Sequence, residues 1–322
     1  EFSVEDLIPQ EDTIVMLTED GYIKRLPPDT FRAQARGGKG VVGLQTKEED
    51  IVSQMITTNT HAEILFFTSR GRAFRLKAYE LPQGSRTSKG QAIVNFLQLS
   101  PGEKVTVTLP LDDMDGAKNL VMVTSRGTIK KCALEQFDNL RRNGIIAINL
   151  DGGDELTWVK PSSGNDDISL VTRKGQSIRF SEDEVRAMGR NAAGVRGIKL
   201  GQNDEVIGMD IINVALADKG LLQLFVITEN GMGKRTSLQE YKTQGRGGSG
   251  IHTAKVNDKT GGVVGAYVSS TDDERDLVMI SKSGIVVRTP FKMVTCLGRD
   301  TQGVRLMRFK EAGDRVSSVT FV

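Results

Sequence analysis

The chain has 322 residues, 38% of them hydrophobic, and balances 43 Lys and Arg against 41 Asp and Glu for a net charge of +2. Two cysteines, Cys132 and Cys296, exclude a disulfide scaffold and a cysteine-rich zinc site, and two distant histidines, His61 and His252, argue against a histidine metal centre. With no signal peptide and no apolar run near membrane-spanning length, the expectation is a soluble, cytoplasmic, non-membrane protein whose basic surface, if any, is segregated.

In chain order, the opening "EFSVEDL" lacks a methionine. It reads as the start of an excised fragment, with Glu1-Phe2 as a cloning remnant and residues 1–12 as a linker. Six similar segments follow: "IVMLTEDGYIKRL", "ILFFTSRGRAFRL", "LVMVTSRGTIKKC", "ISLVTRKGQSIRF", "LFVITENGMGKRT" and "LVMISKSGIVVRT". Each is an apolar run, a Thr or Ser, two polar residues, a glycine and a second run. The runs are rich in Val, Ile, Thr and Phe and too short for helices, so each segment predicts a β-hairpin turning at Gly21, Gly71, Gly127, Gly175, Gly231 or Gly284. The glycine supplies the positive φ that such a turn needs.

A second glycine, at Gly40, Gly90, Gly144, Gly194, Gly250 or Gly303, follows each hairpin and precedes another apolar run. A last strand then ends each unit. Four strands per unit, repeated six times at about 50 residues, is the pattern of a propeller-like ring. The expected blades are residues 13–60, 61–112, 118–162, 166–213, 221–270 and 275–322. Helical signals are few: Ser181–Met188 and Leu134–Leu140 predict single turns.

The fourth residue after each hairpin glycine is a cation: Arg25, Arg75, Lys131, Arg179, Arg235 and Arg288. Lys and Arg together fill about one position in eight of an average chain, so six matches are improbable by chance. Two readings stand. Repeats copied from one ancestor keep a structural cation, pairing with an acid on the next blade; or the cations form a stripe on successive blades, thickened by Lys24, Lys130 and Lys234. The loops before the second glycine repeat as well: "QARGGKG", "GSRTSKG", "DNLRRNG", "MGRNAAG", "QGRGGSG" and "LGRDTQG". Arg36, Arg86, Arg190, Arg246 and Arg299 hold one position, and Arg141 and Arg142 fall beside it in the third loop. "GRGGSG" (Gly245–Gly250) has dinucleotide-type spacing but precedes a strand rather than a helix, and "GGKG" lacks the spacing of a P-loop. The acids fall mostly in solvated turns and offer no catalytic pair.

These residues resemble the C-terminal domain of the bacterial DNA gyrase A subunit. "GYIKRL" followed by "QARGGKG", with "SRGRAFRLKAYELP", "VRAMGRNAAGVRGIKL" and "NGMGKRT", carries the resemblance across all six units. The family's box, Gln-Arg-Arg-Gly-Gly-Lys-Gly, is matched at Gln34, Arg36, Gly37, Gly38, Lys39 and Gly40 and departs at Ala35. The resemblance implies an all-β, six-bladed β-pinwheel in which neighbouring blades exchange strands. It implies a domain that wraps double-stranded DNA around a basic rim for negative supercoiling. It further implies no chemistry and no cofactor here: ATP and Mg belong to other domains of an ATP-dependent type II topoisomerase, the cleaving tyrosine to the rest of the A subunit, and the assembly is an A2B2 heterotetramer with the B subunit. The isolated domain is expected to be a monomer. The related topoisomerase IV domain lacks an intact box, and a WD- or kelch-type protein-binding propeller would carry recurring tryptophans, whereas Trp158 stands alone.

Wrapping needs many weak contacts. Bending about 40 base pairs through half a turn costs on the order of 10 kcal/mol, which one loop cannot offset but a series of cations releasing counterions can. The expected DNA contacts are the box residues together with Lys24, Arg25, Arg75, Arg86, Lys89, Lys130, Lys131, Arg141, Arg142, Arg179, Arg190, Lys234, Arg235, Arg246 and Arg288. In the box, glycines let backbone approach phosphate, and Arg36 and Lys39 add charge-assisted bonds. Replacing Arg36 and Lys39 by Ala is therefore expected to weaken DNA bending more than replacing two scattered cations; equal losses in a bending assay would contradict this.

Overall fold

The computed structural model describes residues 3–28, 50, 52–85, 87–140 and 142–322, so the box at residues 34–40, Arg86 and Arg141 lie outside the described residues. The first repeat supplies β1 (Asp12–Thr18), β2 (Tyr22–Leu26) and β3 (Val52–Asn59). The second supplies β4 (Glu63–Thr68), β5 (Arg72–Lys77), β6 (Gln91–Ala92) and β7 (Val105–Pro110). The third gives β8 (Asn119–Thr124), β9 (Thr128–Ala133), β10 (Ile145–Ile146) and β11 (Leu156–Ser162), and the fourth β12 (Asp167–Thr172), β13 (Gln176–Ser181), β14 (Val195–Arg196) and β15 (Val206–Ile212). A short helix, α1 (Val214–Asp218), precedes β16 (Leu222–Thr228), β17 (Met232–Ser237), β18 (Ile251–His252) and β19 (Val263–Ser270). The last repeat forms β20 (Asp276–Ser281), β21 (Val286–Pro290), β22 (Val304–Arg305) and β23 (Val316–Phe321).

All six hairpins form as the sequence predicts, with registers such as Leu170↔Ile178 and Val226↔Lys234. The chain divides into two units, Glu1–Ala117 with Leu134–Val159 and Gly189–Ala192, and Lys118–Ala133 with Lys160–Met188 and Ala193–Val322. The first unit contains the sheets β3-β1-β2-β6 and β10-β5-β4-β7. The second contains β8, β9 and β14 of the sheet β11-β8-β9-β14, and the sheets β15-β12-β13-β18, β19-β16-β17-β22 and the three-stranded β21-β20-β23.

The sheets are not contiguous in sequence. The two-residue strand after each second glycine leaves its own repeat and pairs with the preceding hairpin: β6 with β2, β10 with β5, β14 with β9, β18 with β13 and β22 with β17. The four-strands-per-unit reading is thus corrected in detail. Each four-stranded sheet takes three strands from one repeat and its outer strand from the next, which is the exchange the resemblance implies.

Cores lie between sheet faces. In the first unit Val15, Leu17 and Ile23 pack on Ile64, Phe66 and Phe74. In the second, Phe225 and Ile227 meet Leu277, Met279 and Phe291, with Phe225 and Phe291 edge-to-face at 5.3 Å. Strands such as β12 and β16 are buried at every residue, because both faces are covered. That is why their sequences read as continuous apolar runs rather than alternating ones.

Leu134–Phe137 and Glu182–Glu184 are single 3-10 turns, as expected. α1 was not legible; its five residues are too few for a helical period, and its marker is the Asn213 side chain accepting from the Leu216 N–H. Residues 3–11, expected as part of a linker, are tied down: Ser3 and Asp6 form a capping box, Thr60 Oγ1 donates to Pro9 O at 2.6 Å, and Lys77 pairs with Glu5 at 3.0 Å.

Gly231 shows what the hairpin turn demands. Its φ is +82°, and a Cβ there would lie 2.5 Å from Met307 O in the neighbouring repeat. Gly284 has the same φ sign but open space around it. Gly284→Ala is therefore expected to cost about 1 kcal/mol of backbone strain. Gly231→Ala should cost about 1–3 kcal/mol more, since the neighbouring strand must shift. Denaturant unfolding of the two variants checks the difference.

Candidate nucleic-acid interface

The hairpin cations reach into the following repeat. Each second hairpin strand in the second to sixth repeats leads into a single 3-10 turn, and the carbonyls at such a turn's end lack helical partners. In five of the six repeats, the cation of the preceding hairpin supplies donors at that turn. Arg25 Nε donates to Leu81 O at 2.9 Å, and Arg75 Nη1 donates to Phe137 O and Asp138 O at 3.0 and 2.8 Å. Lys131 Nζ donates to Glu182 O at 3.0 Å, with the Glu182 carboxylate 3.4 Å away. Arg179 donates to Leu238 O and Tyr241 O while its Nε holds Asp167 at 2.9 Å. Arg235 donates to Val294 O at 2.7 Å and Lys292 O at 3.0 Å. Arg75 also pairs with Glu63. The sixth, Arg288, is exposed and pairs instead with Asp276 at 2.6 Å.

The thickening lysines are buried too. Lys24 Nζ donates to Ser85 O and Ser88 O, and Lys234 Nζ to Gly298 O, Arg299 O and Thr301 Oγ1. Lys130 is fully buried. Burial lowers the pKa of Lys24 and of Arg25, the latter partly offset by Glu11, and brings Lys234 down to about 8 despite Glu240 and Asp300. The expected stripe of Lys24, Lys130, Lys131, Arg179, Lys234 and Arg235 on the surface is therefore corrected. These side chains are buried, and their donors serve the protein rather than a ligand. Of the two readings of the hairpin cations, the structural one describes their geometry, with carbonyls more than acids as the partners.

The loop cations differ. Arg142 is 92% exposed, its nearest carboxylate, Glu80, at 3.9 Å. Lys89 is exposed, its ammonium 4.1 Å over the Tyr22 ring. Arg190, Arg246 and Arg299 share one device. The Nη1 of each donates to the carbonyl of the second residue of the preceding loop strand: Ile146 O at 3.5 Å, Arg196 O at 2.7 Å and His252 O at 2.8 Å. Arg246 Nε adds Glu184 O at 3.0 Å. A guanidinium carries five donors in a fixed plane, so Arg299 keeps most of its fork after this bond. Each such arginine is half-buried, placed by a loop and braced by the loop before it.

Four further cations are exposed: Arg186 and Lys242, each four residues before a loop arginine, and Arg196 and Arg305, each six after one. Both recurring spacings were available in the sequence once loops were aligned on their arginines. Acids recur in hairpin turns, such as Glu229, and in turns before closing strands, such as Glu205. There Arg173 bridges Glu205 and Glu229, and Arg315 also holds Glu229. Among the described residues no cluster of His, Cys, Asp and Glu could hold a metal ion, and no helix is long and apolar enough to cross a membrane.

Comparison with known proteins points one way. A family described as "DNA gyrase C-terminal domain, beta-propeller" matches residues 12–59, 62–111, 118–163, 166–213, 223–270 and 275–322. The chain is 43% identical over 305 residues to the DNA gyrase A subunit of Staphylococcus aureus strain NCTC 8325 / PS 47, covering 94% of this chain but 34% of that protein. It is similar to the solved structure of a DNA gyrase A C-terminal domain, with TM-score 0.76, 26% identity, and coverage of 97% of this chain and 99% of the other. It is equally similar to that of a DNA topoisomerase IV C-terminal domain, with TM-score 0.78, 25% identity, and coverage of 98% and 94%.

The separation of buried from exposed cations is testable through Arg179. Arg179→Ala leaves the buried Asp167 carboxylate with only Thr243 Oγ1 at 3.3 Å from the same oxygen, and is expected to cost about 3–5 kcal/mol of stability. Arg142→Ala should change the unfolding midpoint little. Equal destabilisation in a thermal melt would contradict the division.

Proposed function

We propose a function for this chain from the premise that it belongs to the family of DNA gyrase C-terminal β-propeller domains. Its role is to bind duplex DNA along the loop arginines of successive repeats and bend it, a wrapping module without chemistry of its own. The observation that carries this reading is the shared bracing of Arg190, Arg246 and Arg299, each loop holding the next. A propeller sets its blades radially, so equivalent loops present cations at regular steps. Duplex DNA presents phosphates at regular steps too, and each neutralised phosphate releases counterions. The aromatic content is 5%, too low for stacking platforms along single strands, and no recognition helix is present among the described residues to read bases.

The contact set differs from the sequence-based one: the hairpin cations leave it, and Arg299, Arg186, Arg196, Lys242 and Arg305 enter it. Lys89, Arg142, Arg190, Arg246 and Arg299 with Arg186, Arg196, Lys242 and Arg305 form the proposed surface; the box residues 34–40, Arg86 and Arg141 extend it as expectations. The chain spans about a third of the length of its curated relatives, 34% in the case given. The rest follows as proposal: a cytoplasmic gyrase holoenzyme pairing the A subunit with a B subunit, with ATP, Mg and strand cleavage on other domains. The likeness to the topoisomerase IV domain supports a second reading, a relative that binds DNA without gyrase-type supercoiling.

Salt titration of duplex binding tests the surface. The slope of log K against log salt should be about −0.9 per phosphate contacted. The triple variant Arg142→Ala, Arg246→Ala and Arg299→Ala is expected to flatten it by about 2.7, three contacts at that value. A slope unchanged in the triple variant would refute this interface.

A further inference from the structure

At the third residue after the hairpin glycine the repeats alternate: Lys24, Phe74, Lys130, Ile178, Lys234, Val287. The odd repeats carry a lysine and the even ones an apolar residue. The described contacts show what lies above this position. The third repeat's loop presses Gly144 onto the Phe74 ring, where a Cβ would be 2.7 Å away. In the fifth repeat's loop, a Cβ on Gly248 would sit 3.8 Å from Ile178 Cδ1. Under the sixth repeat's loop the occupant is an ammonium. Lys234 is 1% exposed, and its Nζ lies 2.7 Å from Gly298 O, 2.5 Å from Arg299 O and 2.9 Å from Thr301 Oγ1. Three N–H donors meet three acceptors, which is the full capacity of an ammonium. Lys24 does the same for the second repeat's loop, 3.0 Å from Ser85 O and 2.7 Å from Ser88 O.

Arg299 is consequently held from several sides. Its carbonyl rests on Lys234, its backbone N–H donates to Glu240 at 3.2 Å, and its guanidinium donates to His252 O at 2.8 Å. We propose that Lys234 is a positioning residue for DNA binding, a buried ammonium that fixes the loop Gly298–Thr301 so that Arg299 is ordered before a phosphate arrives. This rests on the reading of Arg299 as a DNA contact. Preorganisation spares the entropy of ordering a long side chain on binding. The alternative occupant in even repeats shows that the fold tolerates an apolar residue there, so the lysine is not needed simply to fill space.

Burial, opposed by Glu240 and Asp300 and aided by Arg299, brings the ammonium down to about 8, which adds a pH readout. The folded value lies below the ordinary 10.5, so between the two the unfolded chain binds more protons and this group's contribution to stability rises with pH. Loop anchoring goes the other way: above about 8 the amine has two hydrogens for three acceptors. Duplex affinity should fall through this range while stability does not.

The test compares Lys234→Met, Arg299→Ala and the double variant, with duplex binding at fixed ionic strength and amide hydrogen exchange. Lys234→Met is expected to keep the hairpin amides protected, expose those of Gly298–Thr301, and weaken binding about threefold to tenfold, the entropy of one mobile long side chain. The double variant should bind no more weakly than Arg299→Ala, because the lysine acts through the arginine. Losses that multiply, or wild-type binding by Lys234→Met beside a weakened Arg299→Ala, overturn the inference. Wild-type binding by Arg299→Ala sinks both this inference and the DNA reading of the loop, a different pattern. If Lys234→Met does not fold, the wild-type pH titration decides: an affinity flat between pH 7 and about 9, straddling the value near 8, overturns the proposal.

Discussion

Everything in the fold depends on a two-residue backbone pairing between repeats. A single hairpin with one closing strand leaves an outer edge of unpaired N–H and C=O groups, which is both costly and sticky. Here the outer edge of each of the first five hairpins is completed by two residues of the next repeat. The close approach forces the residue before that strand to be glycine: at Gly250, φ is +79° and a Cβ would lie 2.4 Å from Ser177 O. The glycines in the loops therefore answer first to neighbouring backbone. The same contact that closes a sheet also fixes where the next loop begins, so structure and candidate interface share one joint.

Around that joint the cations divide by task. In the first five repeats, an arginine or lysine four residues after the hairpin glycine meets carbonyls in or just after the next repeat's 3-10 turn. A lysine one residue earlier, on the other face of the strand, meets the loop itself. The loop arginine donates to the previous loop, and Arg299 keeps most of its fork beyond that bond. Repetition thus produces two kinds of recurring cation, one inward and one outward, and a pattern of charge in sequence does not tell them apart.

That limit defines what was legible. The hairpins, the positive-φ glycines, the two 3-10 turns and the all-β class follow from local chemistry, which a sequence carries directly. The ownership of the loop strand does not, since "QA" or "VR" has the same period whichever sheet receives it. Lys130 and Lys234 looked like surface charge because composition cannot report that both are buried or that two carbonyls and a hydroxyl converge on the Lys234 ammonium. Conversely Arg186, Lys242, Arg196 and Arg305 were visible, but only after alignment on the loop arginines rather than on the hairpins. The residues whose role changed are those whose partners lie about 50 to 65 positions away, as with Arg235 and Val294, 59 apart, and Lys234 and Arg299, 65 apart.

The central claim is that successive loops bend duplex DNA along one path, not merely that they attract it. Sealing nicked circular DNA in the presence of increasing amounts of the domain measures this directly. The account predicts a linking-number shift of one sign that grows with bound protein and disappears when Arg142, Arg246 and Arg299 are replaced by Ala. Saturating binding with no change in linking number would contradict it.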